Sequence, residues 1–324
     1  MKPKNIALIG AGYWGKNHLR NLYNLEVLHS VLDTSELVIA EMAKQYPDVQ
    51  CVREEKSIIE NTDVKAVVIA APAEDHYRLV KKYLLAEKDV LVEKPLALRV
   101  KEGEELVKIA EKEKRVLMVG HILQYHPAIV KLKEIIDFGE MGEIRYLYSN
   151  RLNLGKLRVE ENVLWSFAPH DISVILMLMD NEDPVKISAF GGSYITNGVY
   201  DTTVTNLEFS NNVKSHIYVS WLHPFKEQKL IVIGSTKMAV FDDVSIEKLF
   251  LFPYKVDFND EKIPITRKVE YYIVNVEKTE PLKQELMHFI ECVDSRKTPK
   301  TDGREGLRVL KVLEAAQKSL LGSL

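Results

Sequence analysis

Six residues constrain this chain more than any others. Gly10-Ala11-Gly12-Tyr13-Trp14-Gly15 follows a short apolar run, 5–9, and opens a stretch of helical spacing from Trp14 to about Asn24. A G-x-G-x-x-G pattern is weak alone; between a buried strand and a helix, at the head of a βαβ unit, it is informative. Gly10 permits the tight turn, Gly12 removes the side chain that would hold a pyrophosphate off the backbone, and Gly15 lets helix and strand pack closely. The helix N-terminus then offers N–H groups and partial positive charge to phosphates. An ordinary glycine turn is the alternative, and the strand–helix context argues against it. The second strand, 27–32, closes on Asp33, where a carboxylate can accept hydrogen bonds from the ribose hydroxyls of NAD and repel the extra phosphate of NADP. A turn aspartate at a strand end is the plain alternative. No arginine follows Asp33 closely, so NAD is the expected cofactor.

The alternation continues: helices at 35–46 and 57–61, a very apolar strand at 64–70, a helix at 76–87, a strand at 89–92, a helix at 100–114 and a strand at 116–119. Strands alternating with helices imply a doubly wound parallel sheet, and the strand at 64–70 is apolar enough to be covered on both faces. Beyond residue 121 the pattern changes. A helix at 127–138 and a strand at 144–152 precede a stretch without periodicity, 153–165, read as a long functional loop. An apolar helix follows at 171–179. Strand signals then dominate from 185 to 274, with a hairpin turn at Asn211-Asn212, further strands at 230–233, 238–241, 248–252 and 269–274, and closing helices at 281–294 and 304–320. The expected fold class is α/β: an N-terminal Rossmann doubly wound parallel sheet over residues 1–121, then a substrate-binding and oligomerisation α+β domain with a mostly antiparallel open sheet over 122–324. The closing helices are free to pack back on the first domain.

Composition narrows the function classes. A net charge of -3 supplies no broad electrostatic reason to bind nucleic acid or an anionic membrane. Cys51 and Cys292 form neither a disulfide framework nor zinc-site spacing, so no metal and a cytoplasmic location are expected. No apolar stretch is long enough to span a bilayer.

The candidate chemistry lies at the carboxyl edge of the parallel sheet, where ligands bind in such folds. Ala71-Pro72 closes the apolar strand with small residues that leave room for a cofactor. His76 either approaches the nicotinamide half or caps and packs a helix. Glu93-Lys94-Pro95 ends the next strand. Pro95 keeps Lys94 out of helical geometry and permits a cis bond, and a lysine buried beside a cationic ring would exchange protons near neutrality. A surface lysine is the alternative.

The motif Gly10–Gly15 with His18, then Ala71-Pro72 with His76, then Glu93-Lys94-Pro95-Leu96, resembles the glucose-fructose oxidoreductase / inositol dehydrogenase / MocA family. Ser220-Trp221, Gly234-Ser235 and the stretch from Asp302-Gly303 to Leu320 extend the resemblance over essentially the whole chain. It implies an NAD-dependent dehydrogenase acting on CH–OH groups, with Lys94 in proton transfer and an open sheet that mediates a homodimer or homotetramer. A second catalytic element is Ala168-Pro169-His170-Asp171. Many relatives carry an aspartate four residues before the histidine, where this chain has Ser166, so His170 shares the work with Lys94 or Asp171 contributes. At a helix N-terminus Asp171 also has a structural reading, as a first-turn acid, and His170 would have a depressed pKa there.

The segment Arg151-Leu152-Asn153-Leu154-Gly155-Lys156-Leu157-Arg158, with Trp165, looks like the subgroup that oxidises the 3-hydroxyl of UDP-linked N-acetylhexosamines or their uronic acids. Arg151, Lys156 and Arg158 suit a diphosphate, Asn153 could add a polar contact, and Trp165 and Tyr125 could stack on sugar or uracil. A solvated charged loop is the alternative, since Glu160 and Glu161 lie close by. His121 and His126, at the domain junction, are either substrate contacts or structural. The sequence therefore points to a nucleotide-sugar dehydrogenase. A dehydrogenase of a free polyol or aldose such as inositol is the first rival, and a non-catalytic NAD-sensing regulator of the same fold is the second.

Overall fold

The structure, a computed structural model, describes residues 4–155, 157–159, 161–268 and 270–322. The chain divides into two compact units, Met1–Ile122 with Glu280–Lys311, and Leu123–Thr279 with Val312–Leu324.

The first unit is built from β1 (Ile6–Ile9), α1 (Gly15–Asn24), β2 (Leu28–Leu32), α2 (Glu36–Gln45), β3 (Gln50–Val52), α3 (Lys56–Ile59), β4 (Ala66–Ile69), α4 (Ala73–Leu85), β5 (Asp89–Glu93), α5 (Val100–Lys112) and β6 (Leu117–Gly120). Its six strands lie in the order β3-β2-β1-β4-β5-β6, every neighbouring pair parallel. β3, too short to signal itself in the sequence, completes one edge. Ala66, Val67, Val68 and Ile69, and Val90, Leu91 and Val92, are fully buried, as strands covered on both faces must be. The strand order reverses between β1 and β4, so the carboxyl ends of those two strands flank the crevice where doubly wound sheets take their ligands.

The second unit contains α6 (Pro127–Asp137), β7 (Ile144–Leu152), α7 (Val163–Leu178), β8 (Lys186–Gly192), β9 (Thr202–Glu208), β10 (Lys214–Ser220), β11 (Glu227–Gly234), β12 (Lys237–Asp242), β13 (Leu249–Phe258), β14 (Pro264–Lys268) and β15 (Tyr272–Ile273). These strands form one mixed sheet in the order β14-β13-β12-β11-β7-β10-β9-β8, with β15 beside β13. Only the β7–β10 pair among them is parallel. Buried and partly exposed residues alternate along β9 and β10 because α7 covers one face. The turn between them does fall at Asn211-Asn212: Asn212 takes a left-handed conformation (φ 66°) and the Asn211 side chain accepts the Val213 N–H at 3.1 Å. The strand expected at 269–274 is shorter, β15, and Val269 lies outside the described residues.

Two helices close the chain, α8 (Pro281–Ser295) and α9 (Gly303–Leu320). α8 packs on α1. The segment leading into α9 runs beside β6, with the Val119 N–H donating to Thr301 O at 2.8 Å and Met118 bridging Asp302. The division between the units falls within α9. No helix among the described residues is long and apolar enough to cross a membrane.

The α7 region differs most from expectation. The helix begins at Val163, not at Asp171, and continues through Pro169. Asn162 caps it, its side-chain oxygen accepting the Trp165 N–H at 3.3 Å. Pro169 costs the helix one hydrogen bond, but α7 is buried along nearly its whole length, and that burial offsets the loss. The loop expected at 153–165 therefore ends before Val163.

Candidate active site

In the first unit the glycine motif takes the turn its residues suggested. Gly10 has φ 90°, and a Cβ there would lie 2.8 Å from Ala70 O; one at Gly15 would lie 2.2 Å from Gly10 O. At Gly12 a Cβ would meet nothing within 4 Å. The chain needs the first and last glycines for its own packing, whereas the middle one leaves open space beside the N-terminus of α1, the positive end of the helix dipole. Tyr13 stands on this turn, 93% exposed. Asp33 binds the turn to the end of β2: one carboxylate oxygen accepts the Ala11 N–H at 2.8 Å and the other the Ser35 N–H at 2.8 Å. Each oxygen keeps a lone pair for a ribose hydroxyl. An open approach over Gly12, oriented amides and a placed carboxylate fit a dinucleotide.

Glu93-Lys94-Pro95 closes β5 at the same edge. The Lys94–Pro95 bond is cis, and Lys94 is half-buried. One Glu93 carboxylate oxygen accepts the Trp14 indole N–H at 2.5 Å and meets His18 Nε2 at 2.6 Å. The other accepts the Lys94 N–H at 3.3 Å. Burial pushes the Glu93 pKa up, but the bonds from His18 and Trp14 and the nearby positive charges outweigh it and hold the carboxyl below its ordinary value. Glu93 and Trp14, members of the two motifs that bracket the expected cofactor site, thus clamp α1 to the end of β5. For His76 the structure takes the packing alternative. It is 1% exposed, with Nδ1 2.7 Å from Pro95 O and Nε2 3.0 Å from Ala71 O, so it ties the Ala71-Pro72 turn to the Lys94-Pro95 turn. Burial lowers its pKa, against the two carbonyl bonds. His121 is also structural: Nδ1 lies 2.6 Å from Glu305 on α9, both groups buried.

In the second unit, Ser166 and His170 stand one turn apart on α7 and so share a face. Asp171 is mid-helix, which withdraws both the first-turn reading of its carboxylate and the helix-terminus argument for a depressed His170 pKa, because the dipole acts only within the terminal turn. Asp171 faces β7 instead. Its carboxylate takes Arg151 Nε at 2.6 Å and the outer guanidinium nitrogen at 3.4 Å, with both residues buried (5% and 7% exposed). With its amide turned to suit its neighbours, Gln228 accepts from Arg151 at 3.1 Å and donates to Asp243 at 3.0 Å. Asp243 in turn lies 3.7 Å from His126 Nε2, while His126 Nδ1 caps α6 by accepting the Ala128 N–H at 3.1 Å.

Arg151 is therefore spent on Asp171, which overturns its expected diphosphate role. Arg158 pairs with Glu161 at 2.8 Å; Lys156 and Glu160 lie outside the described residues. The Trp165 indole N–H donates to Gln317 at 3.1 Å, and the Asn162 amide donates to the same oxygen at 2.8 Å. Asn153 follows β7 directly, its N–H donating to Ser220 O at 3.1 Å, and Tyr125 is buried. Gln317 and Gln228 escaped the sequence reading, since a glutamine in a helix or strand carries no local signal. Glu285 escaped as well, although a carboxylate on the apolar stripe Leu282-Glu285-Leu286-Phe289 is a visible anomaly.

Comparison with known proteins agrees with the fold described for the two units. Residues 4–121 match the model of an oxidoreductase family with an NAD-binding Rossmann fold, and residues 129–240 match the GFO/IDH/MocA C-terminal domain, together more than two thirds of the chain. The UDP-N-acetylglucosamine 3-dehydrogenase of Acidithiobacillus ferrooxidans is 25% identical over 309 residues, covering 94% of this chain and 93% of that enzyme. A solved structure of it has a TM-score of 0.87 at 23% identity and covers 98% of each chain. The myo-inositol 2-dehydrogenase of Thermotoga maritima is 25% identical over 328 residues, covering 97% of this chain and 96% of that enzyme. A levoglucosan dehydrogenase solved with NADH and levoglucosan has a TM-score of 0.84 at 18% identity and covers 99% of this chain and 98% of its own. The chain belongs to the Gfo/Idh/MocA oxidoreductases, enzymes whose cofactor sits on an N-terminal NAD-binding domain of the kind assembled here around Gly10, Gly12 and Asp33.

Proposed function

We propose that this protein is an NAD-dependent dehydrogenase of a secondary hydroxyl on a sugar, with C3 of a UDP-linked N-acetylhexosamine as the preferred position. The observation that carries the reading is Lys94, half-buried at the carboxyl end of β5, on the same sheet edge as the open approach over Gly12. NAD, when bound, supplies the hydride acceptor. The chain's share is to hold the dinucleotide with the turn amides and Asp33, and to take the hydroxyl proton on the Lys94 amine. His170 is the second group we assign to proton transfer, and Asn153, Trp165 and Tyr125 to sugar recognition. Oxidation needs Lys94 uncharged, so turnover rises with pH until its amine is neutral.

The full-length likeness to the A. ferrooxidans enzyme supports the nucleotide sugar. The burial of Arg151 against Asp171 favours a second reading, a free polyol such as inositol, because it removes one cation from the expected diphosphate contacts. NADH formation with UDP-N-acetylglucosamine against inositol and free aldoses separates the two. Lys94→Met should lower turnover by about 10²–10⁴-fold while calorimetry still records NAD binding; wild-type turnover by that variant rejects the role. A homodimer or homotetramer is the proposed assembly, and a monomer by light scattering rejects it.

A further inference from the structure

The clamp behind Lys94 holds one more ionisable group, which the reaction does not use. Glu285 lies on the apolar stripe of α8 with Leu282, Leu286 and Phe289, and is 0% exposed. Neither of its carboxyl oxygens has a hydrogen-bond partner among the described residues, and neither does Nδ1 of His18, likewise 0% exposed. α8 packs on α1, whose buried face carries one titratable side chain, His18. The end of β5 contributes Glu93, the charge that acts on Glu285, and it has the same sign. Arg20 is engaged elsewhere, with Glu280 at 2.5 Å.

A carboxylate in such a place would be a buried anion with no donor and a like charge acting on it, an arrangement whose desolvation cost is large. Protonation removes that cost, whereas Glu93, with three donors, is the group suited to ionise. We propose that Glu285, packed behind the cofactor site, stays un-ionised and keeps its own proton, so that Glu93 alone carries negative charge behind Lys94. A second ionised carboxylate there would compete for His18 and stabilise the Lys94 ammonium further, moving proton exchange to higher pH.

The inference rests on Lys94 as the proton-transfer group, and one arm of its test does not. In protein labelled with ¹³C at glutamate carboxyls, the signal lost in Glu285→Gln should sit at the position of an un-ionised acid at neutral pH. If it titrates with the surface glutamates, the proposal is overturned. In the second arm, Glu285→Gln, which cannot ionise, should keep kcat/KM within about twofold of wild type at neutral pH and keep the same lower apparent pKa. It should also lack an alkaline change that the wild type shows. A displaced apparent pKa, or identical alkaline limbs, overturns the role. Glu285→Met, also uncharged, repeats the measurement if the glutamine variant misfolds. Failure of the Lys94 assignment would remove the pH effect and leave the carboxyl signal intact.

Discussion

At the scale of single residues, two glycines three positions apart should behave in opposite ways. Gly12→Ala adds a methyl group that meets nothing in the protein, so melting should be unchanged while NAD affinity falls by about tenfold or more, as backbone approach to the pyrophosphate is blocked. Gly15→Ala drives a methyl group into the Gly10 carbonyl and should cost about 1–3 kcal/mol of stability, the usual penalty of overpacking. Calorimetry and denaturant titration of both variants check the pair; equal NAD affinity in Gly12→Ala and wild type would sink the assignment of the phosphate site. This much was legible in the sequence because a nucleotide turn is local: six consecutive residues carry the whole constraint. Arg151 was not. Its charge suggested an anion, but its partner, Asp171, is twenty residues away, and only the docking of α7 on β7 brings the two together.

At the scale of elements, α7 and its neighbours show where local rules yield. The absence of periodicity over 153–165 argued for a loop, yet the helix begins at Val163 and continues through Pro169 because almost every side chain on it is buried. Asp171 on that helix pairs with the buried Arg151 on β7. Asp171→Ala should destabilise the protein by about 3–5 kcal/mol, since it leaves a buried guanidinium without its partner, while the double change Arg151→Met with Asp171→Leu should recover most of the loss. A small effect of the single change by urea titration would mean that the pair contributes little. His76 makes a second element-level case, joining the turn after β4 to the turn after β5. Burial holds its pKa below the ordinary histidine value, and it does the same for His126, His216 and His288. The unfolded chain then binds more protons than the folded one as pH falls through about 6.5, so this contribution to stability is full above that pH and is lost below it. The urea midpoint should therefore be lower at about pH 5.5 than at about pH 7.5, and His76→Gln should flatten the difference. An unchanged or higher midpoint at the lower pH would refute the burial account.

At the scale of the whole molecule, the chain returns to its first unit after building its second. Leu286 and Phe289 on α8, and Leu310 on α9, are buried core residues of the segment that closes the first unit. A fragment ending at residue 122 should therefore fail to give a cooperative thermal transition and should bind a hydrophobic dye, whereas the full chain should not. A sharp, two-state transition in the fragment would show that α8 and α9 are dispensable. The sequence by itself determined the parallel sheet, the nucleotide turn, Asp33 and the lysine that closes β5, because each is written in consecutive residues or in a short period that steric rules translate directly. Only the tertiary structure decided the parallel pairing of β7 with β10, the burial of Arg151, the meeting of Glu93 with His18 and the burial of Glu285. In those cases the partners are far apart along the chain, and what a charged side chain does depends on which neighbour displaces its water.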